Sequence, residues 1–179
     1  MTPMQRIDLK AILQRTVSGL YGDLVTRPTG QAVRGGVEEV LARIDGEQVA
    51  VIDFTTVRCL DFSCADEIVG KLLVQHGRVR FFLLAGVSES HREAIESVLE
   101  RHGLAVVAWD REGRLQLLGP LDDLFRRAFS VLSRRGTAGV AEIAEDLAIP
   151  MEAAHDALES LLARRLVQFH ADRYAVPAP

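Results

Sequence analysis

Three carboxylates and one hydroxyl lie within a seven-residue segment near the middle of the chain, close enough in sequence to act together in chemistry. They are Asp61, Ser63, Asp66 and Glu67. Neighbouring carboxylates can divide general acid and general base roles when their surroundings separate their pKa values. The same pattern also describes a helix start, with a serine cap and acidic residues facing the positive end of the helix dipole. The helix start accounts for all four residues, so we predict no catalytic residue in this segment.

The pattern on either side of this segment predicts a strand and a helix of an α/β sheet. Residues 49–52 form a short apolar run of the kind that is buried on both faces of a parallel sheet. Apolar residues between 68 and 73 then recur at helical spacing. We predict a helix that begins at Ser63 as its N-cap, with Asp66 reaching back to the cap backbone and Glu67 in the first turn.

Helix and strand patterns alternate through the remainder of residues 1–119, which predicts an open sheet with helices packed on it. Gly35 and Gly36 fall inside one predicted helix, and we expect them to allow close packing of its backbone against the sheet. Gly86 is expected to end a strand, and Gly103 to end a helix in the left-handed conformation. The first predicted element is a helix over 7–20 capped by Asp8, with a strand as the alternative. A short strand or loop over 23–27 and a helix over 29–44 follow. After the central segment we predict a strand over 79–85, a helix capped by Ser88 or Ser90, and strands over 104–109 and 115–118 joined by a turn.

The alternation ends at Gly119 and Pro120, where the pattern changes to helices followed by a hairpin. Three helical patterns cover about 121–132, 140–147 and 150–162, and a two-strand ribbon turns at Ala171 and Asp172. We therefore predict two domains: an α/β domain over 1–119, with its core at about 24–109, and a small α+β domain over 120–179.

Composition and motif content argue against several kinds of function. The net charge of −4 and the pI near 5.7 give no general basic footprint for nucleic acid or membranes. Cys59 and Cys64 form no C-x-x-C pair, and the five histidines lack metal-binding spacing. The chain has no phosphate-binding glycine loop and no nucleophile elbow. We expect a cytoplasmic protein of bacterial type with reduced thiols, no cofactor, no metal, no membrane span and no enzymatic activity; an enzymatic or nucleotide-binding role is the third alternative.

Three blocks of the first domain together resemble a known family. The blocks are L-V-T-R-P-T-G at 24–30 followed by Arg34, I-D-F at 52–54, and D-F-S-C-A-D-E at 61–67 followed by G-K-L at 70–72. In this order they resemble the STAS-like family, which is related to the sulfate-transporter and anti-sigma-factor-antagonist domain. The last block is similar to the S-S-F-A-D-E signature of that family, with cysteine where phenylalanine is usual. The resemblance implies a STAS-like fold and a signalling context rather than an activity.

The resemblance also implies a docking site for a protein partner. Related anti-sigma-factor antagonists dock onto a kinase-type partner and are switched by phosphorylation of a serine that follows an aspartate at this joint. Asp61 matches the aspartate, Phe62 stands where the phosphorylated residue would be, and Ser63 is the nearest hydroxyl. A phosphate on Ser63 would gain from the helix N-terminus and be repelled by the acidic residues that follow, so Ser63 is either a phosphosite or a cap. The partner is expected to be a kinase-type ATPase or another regulator, and the candidate docking residues are Asp61, Ser63, Asp66, Glu67, Arg27 and Arg34.

The second domain resembles a winged helix-turn-helix domain. The matching segments are V-A-E-I-A-E-D-L-A-I-P at 140–150 and A-L-E-S-L-L-A-R-R-L-V at 157–167. In DNA-binding members of this class, the third helix enters the major groove. Here the exposed positions of that helix include Glu152, Asp156 and Glu159, which would repel phosphates.

Two functions for the winged helix follow from its charges. From Leu121 onward, seven arginines face nine Asp and Glu residues, so the domain is not basic overall. Its arginines suit either the solvated surface of a packing module or a local DNA contact. We predict protein contact or homodimerisation, within a non-enzymatic regulatory protein. The alternative is a DNA-binding transcriptional regulator with a STAS-like sensor domain, whose DNA contacts would be Arg164, Arg165, Arg173 and His155.

Overall fold

The computed structural model describes residues 3–17, 23–46 and 48–177. The chain divides into two compact units, Met1–Pro120 and Leu121–Pro179. The first unit contains helices and a sheet with both parallel and antiparallel pairs, and the second combines helices with a small antiparallel sheet. The predicted α/β class is confirmed at this level of mixed helix and sheet.

The central sheet of the first unit is built from short apolar strands. Its strands are β1 (Met4–Asp8), β3 (Val49–Asp53), β5 (Phe82–Val87), β6 (Val106–Asp110) and β7 (Leu115–Leu118), which lie side by side in that order. The first four run parallel, and β7 returns antiparallel to β6. Residues 49–52 and all of β5 are buried, because these strands are paired on both edges and covered by helices. A separate parallel pair joins β2 (Asp23–Leu24) to β4 (Cys59–Leu60).

The helices of the first unit pack on one another beside this sheet. They are α1 (Leu9–Thr16), α2 (Arg27–Leu41), a continuous stretch made of α3 (Phe62–Ala65), a π-helix (Asp66–Lys71) and α4 (Leu72–His76), and α5 (Glu89–His102). The π-helix lies between α2 and α5 and contacts both. The core joins the inner faces of these helices to the sheet through residues such as Val37, Ile52, Ile68, Leu84 and Leu99.

The amino-terminal prediction is partly confirmed and partly wrong. Asp8 caps α1, and its carboxylate accepts the backbone N–H groups of Lys10 and Ala11 at 2.9 and 3.2 Å. The strand before it was missed, because its pairing of Ile7 with Ile52 joins residues far apart in sequence. Helix α1 ends at Thr16, and the predicted continuation to Leu20 falls in residues 18–22, outside the described residues.

Two of the predictions made for glycines are wrong. Gly86 lies inside β5 instead of ending it, with a φ of 68° where the register between β5 and β6 shifts. A Cβ on Gly86 would lie 2.3 Å from the Thr55 hydroxyl oxygen, so a side chain cannot fit. Gly36 packs against Ile12 of α1 rather than against the sheet, and Gly35 has nothing within 4 Å of its Cβ position. Gly103 is left-handed, with a φ of 62°, as predicted.

The second unit consists of three helices and a three-stranded sheet. Its elements are α6 (Asp123–Arg135), β8 (Thr137–Ala138), α7 (Val140–Leu147), α8 (Met151–Ala163), β9 (Gln168–His170) and β10 (Arg173–Ala175). The sheet order is β8-β10-β9, and β10 is antiparallel to both neighbours. The core forms where the apolar faces of the helices meet, at buried residues that include Leu132, Ile143, Leu158 and Leu161.

Candidate functional site

Asp61 joins the start of α3 to the segment before α2. One of its oxygens accepts the Cys64 backbone N–H at 2.7 Å and the Ser63 hydroxyl at 2.8 Å. The other accepts the Thr26 backbone N–H at 2.9 Å, from a residue 35 positions earlier in the chain. Burial alone would raise the pKa of Asp61, but these hydrogen bonds outweigh it, and the pKa is lowered. The ionised carboxylate therefore fixes two segments against each other.

Thr26 has a backbone conformation that depends on this arrangement. Its φ is 73°, which is unfavourable for a branched side chain and costs about 1–3 kcal/mol. Asp61 holds its N–H, and the Cys64 thiol lies 3.0 Å from its carbonyl oxygen. Burial raises the pKa of the Cys64 thiol to about 12, so this cysteine is a packing group and not a nucleophile.

The predicted serine cap is wrong, because Asp61 is the N-cap of α3. A carboxylate at this position accepts the backbone N–H three residues later and also the hydroxyl of Ser63, so the serine becomes a donor to the cap. Asp66 does not reach back to the helix start. It lies with Glu67 at the start of the π-helix, and both side chains are buried.

Asp66 and Glu67 were predicted to be docking residues, but both are buried and do not reach the surface where a partner would bind. Asp66 is 5% exposed and Glu67 is 0% exposed. An ionised carboxylate at such a place requires cationic partners, since desolvation of an unpaired charge costs several kcal/mol. Arg27 and Arg34 of α2 and Lys71 of the π-helix supply them, and His102 of α5 adds a hydrogen-bonding contact.

Three of the four basic side chains each contact one carboxylate, and Arg27 contacts both. Glu67 is paired with Lys71, with Arg27 Nη1 at 2.6 Å and with Arg34 Nε at 3.4 Å. Asp66 accepts from the same Arg27 nitrogen at 2.9 Å and contacts His102 Nε2 at 2.8 Å. Burial acts to raise the pKa of each carboxyl group, but the hydrogen bonds from these partners outweigh it and the pKa of each is lowered. Both groups are therefore ionised at neutral pH.

Two glycines allow the neighbouring helices to approach the buried pair. A Cβ on Gly30 of α2 would lie 3.0 Å from the Cys64 Cα and 3.1 Å from the Glu67 Cβ. A Cβ on Gly70 would lie 2.6 Å from Val98 and 2.9 Å from the ring of His102. The absence of side chains at these positions brings Arg27 and His102 within hydrogen-bonding distance of Asp66.

Several cationic and apolar side chains near this cluster are exposed. The side chains of Arg27 and Lys71 are 41% and 39% exposed, although the carboxylates they bind are buried. Phe62 and Val25 are exposed large hydrophobic residues, and the Arg101 guanidinium carbon lies 5.9 Å from the centre of the Phe62 ring. We call this surface the Phe62 face and define it as Val25, Arg27, Phe62, Lys71 and Arg101.

The structure brings the six predicted docking residues of the first unit into one region. Asp61 binds Ser63 and the residue before Arg27, while Arg27 and Arg34 reach the buried carboxylates. Two further members, Lys71 and His102, were not predicted. The spacing of Glu67 and Lys71, one helical turn apart, is a sequence signal for that pair. His102 lies 36 residues from Asp66, and no local pattern indicates their contact.

The predicted DNA-contact residues of the second unit differ in their exposure and in their contacts. Arg173 donates to the Thr137 hydroxyl and carbonyl at 3.1 and 3.2 Å and pairs with Glu142 at 2.8 Å. Arg164 and His155 are exposed, and Arg165 has a positive φ of 58° directly after α8. Arg173, in β10, is therefore already paired with an acidic side chain.

Carboxylates also form ion pairs and hydrogen bonds with other side chains of this unit. Arg135 pairs with Asp146 at 2.7 Å and with Glu142 at 3.4 Å. Tyr174 donates its hydroxyl to Glu159 of α8 at 2.5 Å. Burial, followed by this carboxylate, raises the pKa of Tyr174 to about 12. These contacts stabilise the unit and leave an acidic outer surface on α8, at Glu152 and Asp156.

A cleft of about 250 Å³ lies at the carboxyl ends of β5 and β6. This is where open α/β sheets commonly bind ligands. Part of its polar lining is paired internally: Arg114 contacts Asp110 at 2.8 Å, and Arg92 donates to Gln116 at 3.1 Å. The cleft therefore has the position of a ligand site, but these polar groups already satisfy one another.

No protein-family model, curated protein or solved structure matches this chain. Within residues 3–17, 23–46 and 48–177, no three His, Cys, Asp or Glu side chains are grouped so that they could hold a metal ion. Over the same described residues, every helix is too short or too polar to cross a membrane.

Proposed function

We propose that this chain is a non-enzymatic regulatory protein whose first unit, a STAS-like domain, binds a protein partner through the Phe62 face. The observation that carries the proposal is the exposed ring of Phe62 at a helix start whose two flanking segments are fixed by Asp61. Aromatic residues and arginine are enriched at the centres of protein interfaces, and both are present on this face.

The rigidity of the face supports binding rather than a simple surface role. Asp61 and Cys64 hold Thr26 at a positive φ directly between Val25 and Arg27. Strained backbone of this kind persists where surrounding structure over-determines it, and it is frequent at functional sites. A face that is already ordered loses little conformational entropy on binding, which favours affinity.

The family resemblance supplies the class of partner. Phe62 occupies the position at which related anti-sigma-factor antagonists carry the phosphorylated residue, next to the matching Asp61. We propose a cytoplasmic signalling role with a kinase-type ATPase or another regulator as the partner. Ser63 remains the candidate phosphosite, and a phosphate there would compete with the contact between its hydroxyl and Asp61.

The state of the buried carboxylates argues against a general-acid role for them. A general acid must carry a proton at the working pH, and its pKa is raised for that purpose. The pKa values of Asp66 and Glu67 are lowered instead, and each group is bound by basic side chains. We therefore assign this cluster a structural role beneath the Phe62 face.

For the second unit we propose a winged-helix module that contacts protein, either the same partner or a second copy of the chain. Met151 on α8 and Phe169 on β9 are exposed hydrophobic residues suited to such contact. DNA binding is the less supported alternative, because Arg173 is paired with Glu142 and α8 carries exposed carboxylates.

Co-purification of the full-length protein from its native cytoplasm tests the docking function. A discrete partner should be recovered with the wild type and lost with Phe62→Asp. Val79→Asp is the matched control, because Val79 is also an exposed hydrophobic residue but follows the far end of the same helical stretch. Equal recovery of the partner with both variants would reject the Phe62 face as the docking site.

A further inference from the structure

We infer that the Phe62 face recognises an acidic protein segment, in which carboxylates flank an apolar side chain that covers the Phe62 ring. The inference rests on the proposed docking function and adds the chemistry of the partner at that same face. Three features of the face carry it: unused donors, an outward excess of positive charge, and an apolar centre.

Arg27 has hydrogen-bonding capacity that its own protein does not use. A guanidinium group has five N–H donors. Arg27 binds both Asp66 and Glu67 through the single nitrogen Nη1, at 2.9 and 2.6 Å, and within the described residues its Nη2 and Nε have no hydrogen-bond partner. Its side chain is 41% exposed. A partner carboxylate can therefore form a bidentate pair with the outer edge of this guanidinium group.

The charged side chains of the Phe62 face that reach solvent are cations. Arg27, Arg34 and Lys71 carry three permanent positive charges around the two carboxylates of Asp66 and Glu67. The negative charges lie beneath the surface, whereas Arg27 and Lys71 reach the solvent. An approaching group meets the cations first, well within the screening length of about 8 Å at physiological salt.

The centre of the face is apolar and is bordered by a further cation. Phe62 is exposed beside Arg101, whose guanidinium carbon lies 5.9 Å from the ring centre. Val25 is exposed two residues before Arg27. An apolar side chain of the partner can cover Phe62 and Val25, while its acidic neighbours pair with Arg27, Lys71 and Arg101.

A nucleic acid or a second copy of the chain could also meet a cationic face, so the experiment must separate these occupants. An exposed aromatic ring with an aliphatic neighbour favours an apolar side chain over a phosphate backbone. We therefore commit to an acidic protein segment.

The test measures binding of fluorescently labelled peptides to the full-length protein at several salt concentrations. The probes are the peptides E-E-E-L-L-E-E-E, E-E-E-G-G-E-E-E and K-K-K-L-L-K-K-K. We expect saturable binding of the first peptide, weaker binding of the glycine peptide, and binding of the lysine peptide that is weaker by about tenfold or more. Affinity for the first peptide should fall as salt rises.

The variants are chosen to leave the buried ion pairs intact. Arg101 contacts the Phe62 ring, so Arg101→Glu and Phe62→Ala should each lower affinity for the acidic leucine peptide by about fivefold or more without unfolding the protein. Arg43→Glu, an exposed arginine after the distant end of α2, is the matched control and should have little effect.

The outcomes separate this inference from the docking function. Equal binding of the acidic and lysine peptides, or equal losses with Arg101→Glu and Arg43→Glu, would overturn the acidic segment. Preferential binding of duplex DNA or self-association through the same face would also overturn it. If the acidic segment is overturned but Phe62→Asp still abolishes recovery of the partner, the docking function stands and only the proposed chemistry of the partner is wrong. If that partner is retained, the docking function fails as well.

Discussion

Arg27 Nη1 lies 2.6 Å from the fully buried carboxylate of Glu67, and the outer side of the same guanidinium group faces solvent. One arginine therefore neutralises an internal charge and contributes positive charge to the surface. Basic side chains thus cover the acidic residues around Glu67. The charge that the Phe62 face carries is therefore positive, whereas the acidic sequence suggests a negative charge. This relationship connects the stability of the first unit to its proposed binding chemistry.

Removing the charge of Glu67 is expected to destabilise the first unit. Glu67→Gln leaves Arg27, Arg34 and Lys71 facing one another without their shared counter-charge. We expect the free energy of unfolding to fall by about 2–4 kcal/mol. This is below the cost of breaking a fully buried pair, because solvent screens the partly exposed cations. Trp109, the single tryptophan, lies in β6 of the first unit, and its fluorescence during chemical denaturation reports on this unit.

Glu39→Gln is the matched control for this substitution. Glu39 is an exposed residue of α2, so its replacement should change stability by less than about 0.5 kcal/mol. Equal effects of the two substitutions would contradict the account of Glu67 as a buried counter-charge.

Stability of the first unit is expected to fall on acidification. The pKa values of Asp61, Asp66 and Glu67 are lowered in the folded protein, so the unfolded chain binds protons more readily than the folded chain. Their stabilising contribution is fully present above the ordinary values of 3.8 for Asp and 4.5 for Glu, and it is lost as pH falls through the folded values. Denaturation followed by Trp109 fluorescence between neutral and acidic pH measures this loss.

The pH dependence should be smaller in Glu67→Gln, because one of the shifted groups has been removed. Its stability should therefore converge toward that of the wild type as pH is lowered. Parallel curves for the two proteins, with a constant difference in stability at every pH, would show that ionisation of Glu67 does not contribute.

The close packing at Gly70 gives a third prediction. Gly70→Ala introduces a Cβ 2.6 Å from Val98 and 2.9 Å from the ring of His102, so we expect a loss of about 1–3 kcal/mol from overpacking. Gly35→Ala is the matched control, because no atom lies within 4 Å of its Cβ position and alanine favours a helix. It should stabilise the protein by about 0.5–1 kcal/mol. Thermal and chemical denaturation check both values, and a loss in both variants would contradict the packing account.

The charges of the second unit predict little affinity for DNA. Binding of the full-length protein to a labelled random duplex should remain weak even at low salt, and Arg164→Glu with Arg165→Glu should change it little. Fluorescence anisotropy over a range of salt concentrations provides the measurement. Tight binding with a steep salt dependence, abolished by these two substitutions, would instead support the transcriptional-regulator alternative.

Local patterns predicted most elements, since caps, glycines and apolar periodicity act over a few residues. The cap at Asp8, the left-handed Gly103 and the hairpin between β6 and β7 are of this kind. The strand β1 was missed because its parallel pairing with β3 joins residues that are distant in sequence. Strand pairing of this type leaves only a weak signal in five residues.

The six predicted docking residues lie in one region, but the contacts of Lys71 and His102 and the geometry of the cluster were not predicted. Ser63 and Asp61 both suit a helix cap, and the prediction of Ser63 was wrong because Asp61 is the cap. Helical periodicity also assumes a regular helix, whereas Asp66 and Glu67 lie in a π-helix. Their burial further depends on Arg27 and His102, whose contacts span 36 to 40 residues of sequence.

Site-specific photo-crosslinking from position 62 of the full-length protein tests the central claim most directly. A photoreactive phenylalanine analogue replaces Phe62 in one variant and Val79 in the other, since both side chains are exposed. The account predicts that position 62 crosslinks one discrete partner protein in native cytoplasm and that position 79 does not. A partner that crosslinks equally from both positions, or none from position 62, would contradict the account.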